Sequence, residues 1–496
     1  MINSSRNFSA LTTDLYEITM ACGYWTAGVS DYEAAFHVTF RENPFGGEFT
    51  VACGLATAID FLRTFHFDDT EIDYLAAQRG NDDKKLFSAG FLNYLRGLRL
   101  TCDFDAIPEG TLVFPNEPLI RVRGPVIQCQ ILETALLNIL NFESLIATKA
   151  ARVCLAAEND PVIEFGLRRA QGVDGGLTAA RAAFVGGCVG TSNLQAGQSF
   201  GIPVSGTQAH SWIMFFESER EAFEAYARAM PNNCVFLVDT YDSLDGVRHA
   251  IDVARQLRKG GYEMIGVRLD SGDRVALSIE ARRMLQQAGF TNAKIVCSGD
   301  LDEHAIADIR RRGAKIDMWG VGTKLTTGQP DAALGGIYKL GAVRRPGGQW
   351  QYRIKLSDER AKTSYPGLLQ VRRFHELDGR FVADAIYEID HQVSKPCVIV
   401  DLQTEAETEI PTDMEHRNLL VPIFRKSELV YQVPDLASSR EDTHQQLSCL
   451  PPEISRLNDP CAYPVGLEKS LHQLRSNLIA QASERQKGRH ESPDHC

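Results

Sequence analysis

The chain has 496 residues, of which 44% are hydrophobic, and a formal net charge of −12. A chain of this length can bury a sizeable core, and we expect it to form two or three packed units. The negative charge excludes a general attraction for nucleic acid or for an anionic membrane. Any anionic ligand must therefore be held by a few local cations and backbone N–H groups.

The cysteines and the N-terminus predict the compartment. The twelve cysteines form no C-x-x-C pair and no Cys/His spacing typical of a zinc site, and a chain this long needs no disulfides. The first twenty residues lack a basic segment followed by an apolar one, and we expect no apolar run of membrane-spanning length. The chain is therefore expected to be cytoplasmic, with reduced thiols.

The outer parts of the chain predict an α+β domain. Residues 1–125 mix short alternating runs with polar, Gly-rich connections, which predicts a small N-terminal domain with antiparallel strands. Similar runs return in residues 341–430 and are expected to complete that domain. Residues 431–496 are polar and predict a partly disordered C-terminal extension that contains one amphipathic helix, "GLEKSLHQLRSNLIAQASE".

Residues 126–340 predict a catalytic domain. They begin with one or two long helices and continue with short apolar runs that alternate with helical patterns, namely "PVIEFGL", "IPVSGT", "CVFLVDT", "MIGVRLD", "KIVCSGD" and "IDMWGVGT". An open doubly wound sheet has a similar rhythm, but no G-x-G-x-x-G follows the first strand. The predicted fold class is therefore α/β, an irregular (β/α) barrel.

Residues that follow barrel strands meet at one end of the barrel, so they form one candidate site. The candidates share a charge, a hydroxyl group or a glycine turn, and they are Arg168, Arg169, Thr207, His210, Asp239, Thr240, Asp242, Arg268, Asp270, Asp273, Ser298, Gly299, Asp300, Gly320, Gly322, Thr323 and Lys324. The residues themselves leave the roles open. Arg268 and Asp270 lie on one face of a strand end and either grip an acidic ligand or pair with each other.

The other candidates have structural alternatives as well. The glycines either let backbone N–H groups approach a phosphate or only form turns, with Lys324 adding positive charge. Asp242, Asp273 and Asp302 fit helix N-caps. His210 is either a buried core histidine or an acid/base or nucleophilic group, and the apolar run after it predicts a buried strand.

Nine motifs, in this order and spacing, resemble those of the nicotinate phosphoribosyltransferase family: "TTDLYEITM", "NPFGGEF", "EFGLRRAQGVDGGLTAARAAFVGG", "GTSNLQAG", "SGTQAHSWIMFF", "FLVDTYDS", "GVRLDSGD", "GVGTKL" and "LGGIYKL". The resemblance covers roughly residues 8–400. It implies a type II phosphoribosyltransferase fold and a head-to-tail homodimer whose sites are completed across the interface. It also implies transfer of phosphoribosyl from phosphoribosyl pyrophosphate to nicotinate, with Mg²⁺ and with coupling to ATP hydrolysis. The resemblance does not indicate which residues bind the metal ion.

The resemblance further implies residue roles. His210 is similar to the histidine that ATP phosphorylates. Asp270 is expected to hold ribose hydroxyls or to stabilise the positive charge at C1, and Arg268, with Thr207, to contact the nicotinate carboxylate or the ribose phosphate. Asp270 and Arg268 are thus the other expected catalytic residues. The residues expected to bind substrate are Tyr16 from the partner subunit, Phe165, Arg168, Ser192, Thr207 and Asp239. Those expected to bind phosphate are Gly299, Asp300, Gly320, Gly322 and Thr323, together with Lys362 and Thr363 in the loop "ERAKTSYPG".

Ser192 bears on the choice of base. Related nicotinamide enzymes carry Asp at this place, where it accepts a hydrogen bond from the amide, and an Asp would repel a carboxylate. Ser192 therefore favours nicotinate. The alternatives are a nicotinamide or quinolinate phosphoribosyltransferase and a non-enzymatic ligand-binding barrel, in which His210 would have no chemical role.

Overall fold

The computed structural model describes residues 8–356, 364–391 and 393–490. Its helices are α1 (Leu15–Thr26), α2 (Leu55–Thr64), α3 (Asp69–Ala77), α4 (Ala89–Gly97), α5 (Val126–Ile131), α6 (Glu133–Ala157), α7 (Gly172–Val185), α8 (Leu194–Phe200), α9 (His210–Phe215), α10 (Glu219–Ala229), α11 (Ser243–Lys259), α12 (Arg274–Gln287), α13 (Glu303–Arg311), α14 (Thr323–Thr326), α15 (Leu436–Cys449), α16 (Pro452–Ser455) and α17 (Lys469–His490). Short 3-10 turns occupy Pro44–Gly46 and Leu167–Arg169.

The strands are β1 (Glu33–Phe40), β2 (Thr50–Val51), β3 (Asp103–Ala106), β4 (Leu112–Val113), β5 (Ile120–Pro125), β6 (Val162–Glu164), β7 (Gly190–Thr191), β8 (Val235–Leu237), β9 (Gly266–Leu269), β10 (Lys294–Cys297), β11 (Met318–Val321), β12 (Gly336–Arg344), β13 (Gln351–Tyr352), β14 (Leu369–His375), β15 (Phe381–Glu388), β16 (Cys397–Asp401), β17 (Glu407–Ile410), β18 (Glu415–Asn418), β19 (Val421–Arg425), β20 (Glu428–Leu429) and β21 (Val465–Glu468).

The chain divides into two compact units. The first contains residues 145–332 and 436–444, and the second contains the described residues among 5–144, 333–435 and 445–496. The division at residues 144 and 145 falls inside α6. The long helix therefore contributes residues to both units.

The first unit contains a six-stranded parallel sheet in the order β7-β6-β11-β10-β9-β8. Parallel neighbours need crossover connections, and helices supply them between most of these strands. In the described part of the chain the edge strands β7 and β8 do not pair, so the sheet is a half-barrel. This confirms the predicted α/β class. The run "IPVSGT" forms only a bridge from Val204 to Thr191, and the edge strand is the unpredicted β7.

Amphipathic helices bury this sheet. In α11, Val247, Ala250, Ile251 and Ala254 recur at a spacing of three and four residues and are buried in one cluster with strands β8 and β9. Their shared face packs against the sheet, while the polar face stays outside. The loops after the strands are thereby left free at the carboxyl edge.

The second unit contains two larger sheets. The seven-stranded sheet has the order β13-β12-β1-β5-β3-β19-β20 and is antiparallel, so strands from residues 336–429 pair with strands from the N-terminal region. The six-stranded sheet has the order β17-β16-β21-β15-β14-β18. Its strand β21 and the following α17, which contains most of the predicted amphipathic segment, lie in the region that the sequence indicates as a polar extension.

Helical residues 126–157 are long and apolar enough to cross a membrane, contrary to the expectation that no run approaches that length. However, 61% of the apolar window is buried inside the protein. Lys149 and Arg152 are also buried, and both form ion pairs with Glu303. Buried, paired charges are typical of a core helix in a folded protein.

Candidate active site

A cavity of about 410 Å³ opens at the carboxyl edge of the parallel sheet, and its size is that of an ordinary small-molecule site. Its lining residues follow strands β6, β9, β10 and β11. They are Phe165, Arg168, Arg169, Arg268, Asp270, Ser271, Gly272, Arg274, Ser298, Gly299, Asp300, Gly320, Gly322 and Thr323. All of these except Ser271, Gly272 and Arg274 are residues that the sequence predicts for the site, so the fold brings eleven predicted residues together.

Arg268 and Asp270 form an ion pair at the end of β9, as one of the two sequence-based alternatives predicts. Arg268 Nη2 donates to Asp270 Oδ1 at 2.6 Å, Nε donates to Ser298 Oγ at 2.7 Å, and Nη1 donates to Thr207 Oγ1 at 3.0 Å. Burial raises the pKa of Asp270, but the hydrogen bond from Ser298 and the charge of Arg268 outweigh burial and hold that pKa below its usual value. The cavity therefore contains an ionised carboxylate beside a fixed guanidinium.

Asp239, at the end of β8, supports the turn that carries Asp270. Its Oδ2 accepts hydrogen bonds from the Asp270 backbone N–H at 3.0 Å and from Ser271 Oγ at 2.6 Å. Its Oδ1 is buried and has no hydrogen-bond partner among the described residues. Asp239 therefore supports the Asp270 turn without itself lining the cavity.

His210 is the first residue of α9. The prediction of a buried strand after His210 is wrong, since the run forms this short helix and leaves Met214 and Phe215 exposed. The imidazole is 42% exposed, so the core-histidine alternative is wrong as well. Nδ1 lies 3.1 Å from Thr240 Oγ1, and Nε2 lies 4.0 Å from Asp270 Oδ2. His210 thus presents Nε2 towards the ionised group of the cavity.

Phe165 and two arginines follow β6. The guanidinium of Arg268 lies 5.6 Å from the centre of the Phe165 ring, and the neighbouring strand β11 places Gly320 against that ring. Arg168 and Arg169 lie in the 3-10 turn Leu167–Arg169 and form no ion pair with another described residue. An aromatic surface and two uncompensated cations therefore line one side of the cavity.

Gly299 forms a turn that only glycine fits. Its φ is +86°, and a Cβ atom there would lie 2.1 Å from the backbone oxygen of Asp270. Arg274 fixes this turn by donating to the carbonyl oxygens of Gly299 at 2.7 Å, Asp270 at 3.1 Å and Ser298 at 3.2 Å. Arg274 was not predicted. A cation in the first turn of a helix opposes the helix dipole, and this is the signal that could have revealed it.

The predicted caps occur in the structure. Asp242, Asp273 and Asp302 each accept hydrogen bonds from backbone N–H groups of the next helix, so the capping alternatives are confirmed. Lys324, which the sequence indicates as a charge for a phosphate, instead donates to Asp302 Oδ2 at 2.7 Å.

Two other predicted residues, Ser192 and Tyr16, do not line the cavity. Ser192 follows β7, and its backbone N–H donates to Glu164 O. Tyr16 belongs to the second unit, where it is 48% exposed on α1. Burial and a hydrogen bond with Glu17 raise the pKa of the Tyr16 hydroxyl. Lys362 and Thr363 lie outside the described residues.

The lining carries four guanidinium groups and two carboxylates, in a protein whose net charge is −12. Cations, carboxylates and glycine turns at the carboxyl edge of a parallel sheet define an α/β enzyme with an anion-binding site.

Comparisons with known proteins identify the family. Models for the N-terminal domain of nicotinate phosphoribosyltransferase, for the nicotinate phosphoribosyltransferase family and for its C-terminal domain match residues 11–141, 161–344 and 369–475. The nicotinate phosphoribosyltransferase of Bacillus subtilis is 40% identical over 96% of this chain and 98% of its own, and the human enzyme is 34% identical over 95% and 96%. The chain belongs to the nicotinate phosphoribosyltransferase family, which is a class of enzymes.

Solved structures agree with this assignment. The crystal structure of human nicotinic acid phosphoribosyltransferase is 33% identical, with a TM-score of 0.83 over 94% of this chain and 99% of that one. Nicotinate-nucleotide pyrophosphorylase from Pyrococcus furiosus, at 22% identity and a TM-score of 0.67 over 89% and 95%, shares the fold. The match of the C-terminal domain to residue 475 also extends the family likeness beyond residue 400, where the sequence-based resemblance ends.

Proposed function

We propose that the protein transfers the phosphoribosyl group of phosphoribosyl pyrophosphate to nicotinate, giving nicotinate mononucleotide and pyrophosphate in NAD salvage. Family membership supports the reaction. The observation that supports this cavity as its site is the excess of guanidinium groups around one ionised carboxylate, because both substrates are anions and the reacting carbon becomes positive.

The chemistry follows from the positions of the side chains. The pyridine nitrogen of nicotinate attacks C1 of the ribose while the bond from C1 to the pyrophosphate oxygen breaks, and its electron pair leaves with pyrophosphate. Asp270 would stabilise the positive charge that develops at C1, and Arg268 holds Asp270 in place. The ring of Phe165 would stack on the pyridine ring of nicotinate, and Arg168 would lie beside the nicotinate carboxylate.

ATP would act through His210. Nε2 would attack the γ-phosphorus of ATP, the bond to the β-phosphate oxygen would break, and ADP would leave. Thr240 holds the other ring nitrogen, so the exposed Nε2 faces the cavity. Hydrolysis of the phosphohistidine to phosphate would drive transfer towards the nucleotide.

The carboxylates at this edge fit Mg²⁺, which prefers oxygen ligands and often binds together with substrate phosphates. Asp270 and Asp300 line the cavity, and Asp239 has a buried oxygen without a partner. These carboxylates would hold the ion, which would neutralise charge on the pyrophosphate. The side-chain roles of Asp270, Arg268, Phe165, Arg168 and His210 are those given above.

The finer features are part of the proposal. Exposed Leu15, Tyr16 and Met20 on α1 support a homodimer in which Tyr16 reaches the partner's site, because apolar groups on one helix face favour an interface. The half-barrel supports an irregular barrel closed by further segments. The free thiols of the described cysteines support a cytoplasmic location.

The test is an assay of the purified protein with phosphoribosyl pyrophosphate, Mg²⁺ and either nicotinate or nicotinamide, with and without ATP. Chromatography should detect nicotinate mononucleotide, at a rate that ATP raises. Nicotinamide mononucleotide instead would keep the fold but overturn the choice of base. No nucleotide from either base would favour the non-enzymatic barrel.

A further inference from the structure

Two turns form neighbouring parts of the cavity wall. Gly299 and Asp300 follow β10, while Gly322 and Thr323 follow β11. Each turn leads directly into a helix, α13 or α14. The distance between the two turns therefore depends on the pairing of β10 with β11 and on the relative position of these helices.

An ion pair joins the two helix starts. Lys324 in α14 donates from Nζ to Oδ2 of Asp302, the residue before α13, at 2.7 Å. We propose that Lys324 and Asp302 are positioning residues that hold the two glycine turns at the spacing needed to bind the phosphate groups of phosphoribosyl pyrophosphate. The proposal rests on the proposed function, because that function supplies the phosphate ligand.

The geometry separates this role from direct phosphate binding. Neither Lys324 nor Asp302 lines the cavity, and their side chains are 31% and 19% exposed. Asp302 uses its other oxygen, Oδ1, to accept a hydrogen bond from Ala305 N–H at 2.7 Å. Its carboxylate is thus held by the helix on one side and by Lys324 on the other.

The first of the two helix starts is itself anchored. Glu303, next to Asp302, is buried and pairs with Lys149 Nζ at 2.5 Å and with Arg152 Nε at 3.1 Å. Burial raises the pKa of Asp302, but the hydrogen bonds from Lys324 and from Ala305 N–H outweigh burial, so the carboxylate remains charged. Because the start of α13 is fixed, the ion pair between Asp302 and Lys324 also holds the start of α14 and the turn that follows β11 in place.

A double-mutant cycle tests the role. Lys324→Met keeps the aliphatic stem, and Asp302→Asn keeps the helix cap because Asn caps as well as Asp. Each single variant should raise the KM for phosphoribosyl pyrophosphate and the Kd for pyrophosphate by about fivefold or more, as expected for coupled neighbours. The KM for nicotinate should change little. The double variant should be no worse than the weaker-binding single variant, because each change already removes the same pair.

Controls separate positioning from stability. The exposed pair Arg255–Asp252 in α11 provides matched variants, Arg255→Met and Asp252→Asn, which should leave both constants unchanged. Lys324→Arg retains a cation and should restore much of the binding. Lys324→Arg also tests the ion pair if Lys324→Met does not fold. If Lys324→Arg then weakens the binding of pyrophosphate as much as Asp302→Asn does, the proposal is overturned.

The remaining outcomes are decisive. Additive effects in the double variant, or a neutral Asp302→Asn beside a damaging Lys324→Met, would show that Lys324 acts on the phosphate independently and would overturn the proposal. Pyrophosphate binding, measured by calorimetry, does not require nicotinate. Wild-type protein that binds pyrophosphate but makes no nucleotide would reject the reaction and leave the ion-pair role standing. Wild-type protein that makes nucleotide but binds no pyrophosphate would overturn the ion-pair role and leave the reaction standing.

Discussion

The imidazole of His210 is held at one nitrogen and open at the other, and this arrangement makes it testable. His210→Ala removes the group that would be phosphorylated, so the variant should keep some phosphoribosyl transfer but lose stimulation by ATP. The measurement is the rate of nucleotide formation with and without ATP. Full stimulation in the variant would refute the phosphohistidine.

Ser192, which does not line the cavity, provides a test of the proposed preference for the acid over the amide. Ser192→Asp places a carboxylate where the nicotinamide enzymes carry one, so it should weaken nicotinate relative to nicotinamide, by about tenfold for one repulsive contact. Competition between the two bases measures the preference. Ser192→Thr, which keeps the hydroxyl, is the control, and an unchanged preference in Ser192→Asp would sink the argument.

Much of the residue-level arrangement could be predicted, because it depends on local rules. Strand alternation places Arg268 beside Asp270, and residue type indicates the caps Asp242 and Asp273. The partner of Lys324 could not be predicted in this way. Asp302 lies 22 residues earlier, and only the folded sheet brings them together.

At the scale of elements, β6 and β11 meet through Phe165 and Gly320. A Cβ atom on Gly320 would lie 2.6 Å from the ring, so Gly320→Ala should displace Phe165. Since aromatic contacts are worth up to about 1.5 kcal/mol, the KM for nicotinate should rise by about tenfold. Steady-state kinetics and the melting temperature are the measurements.

The matched control is Gly97→Ala at the end of α4, where a Cβ atom meets nothing within 4 Å. This variant should leave both KM values unchanged. A Gly320→Ala enzyme with the wild-type KM for nicotinate would show that the ring of Phe165 does not contact the base.

Strand β1 contains a buried titratable group, His37. Its Nε2 accepts a hydrogen bond from Leu369 N–H at 3.0 Å, and burial, with the charge of Arg121, lowers the pKa of His37 to about 3. Between pH 6.5 and 3 the unfolded chain therefore binds a proton that the folded chain does not, so the free energy of unfolding falls as the pH falls. The loss from pH 7 to pH 5 should be about 2 kcal/mol.

His37→Gln keeps an acceptor and removes the titration, so this variant should lose less stability between pH 7 and pH 5 than the wild type. Denaturant unfolding at both pH values measures this. The exposed His66→Gln is the control and should behave like the wild type. Equal losses in His37→Gln and the wild type would contradict a neutral, buried His37.

The same scale shows where sequence patterns fail. The five apolar residues 212–216 after His210 fit a buried strand as well as a helix, since so short a run has no resolvable period. The structure has α9 there. The apolar runs that form β8, β9 and β10 are no longer than this one, but they were predictable because each is followed by polar residues and then by a helical pattern.

At the scale of the whole molecule, the proposed sharing of active sites between subunits predicts complementation. Tyr16→Ala and Asp270→Asn should each reduce activity strongly, because each would remove one part of every site in a homodimer. When both variants are co-expressed, a mixed dimer would contain one site with both residues intact. The specific activity should then rise well above that of either variant alone, towards a quarter or more of the wild type.

Sedimentation velocity should show that the protein is a dimer. The control for complementation is a mixture of the two purified variants under conditions without subunit exchange, in which activity should not recover. No recovery in a proven mixed dimer would contradict the sharing of sites. The residue pattern alone predicts the cavity. The expectation that Tyr16 reaches the site of the partner subunit rests only on the family resemblance, because no local sequence rule relates Tyr16 to β9.

The four guanidinium groups of the cavity have one more consequence. Arginine keeps its proton at any pH at which a protein is folded. Arg274 donates to carbonyl oxygens, which do not titrate either. The guanidinium contribution to anion binding is therefore independent of pH, and the pH range over which a substrate is retained should follow the ionisation of Asp270 and of the substrate's own phosphate and carboxylate groups.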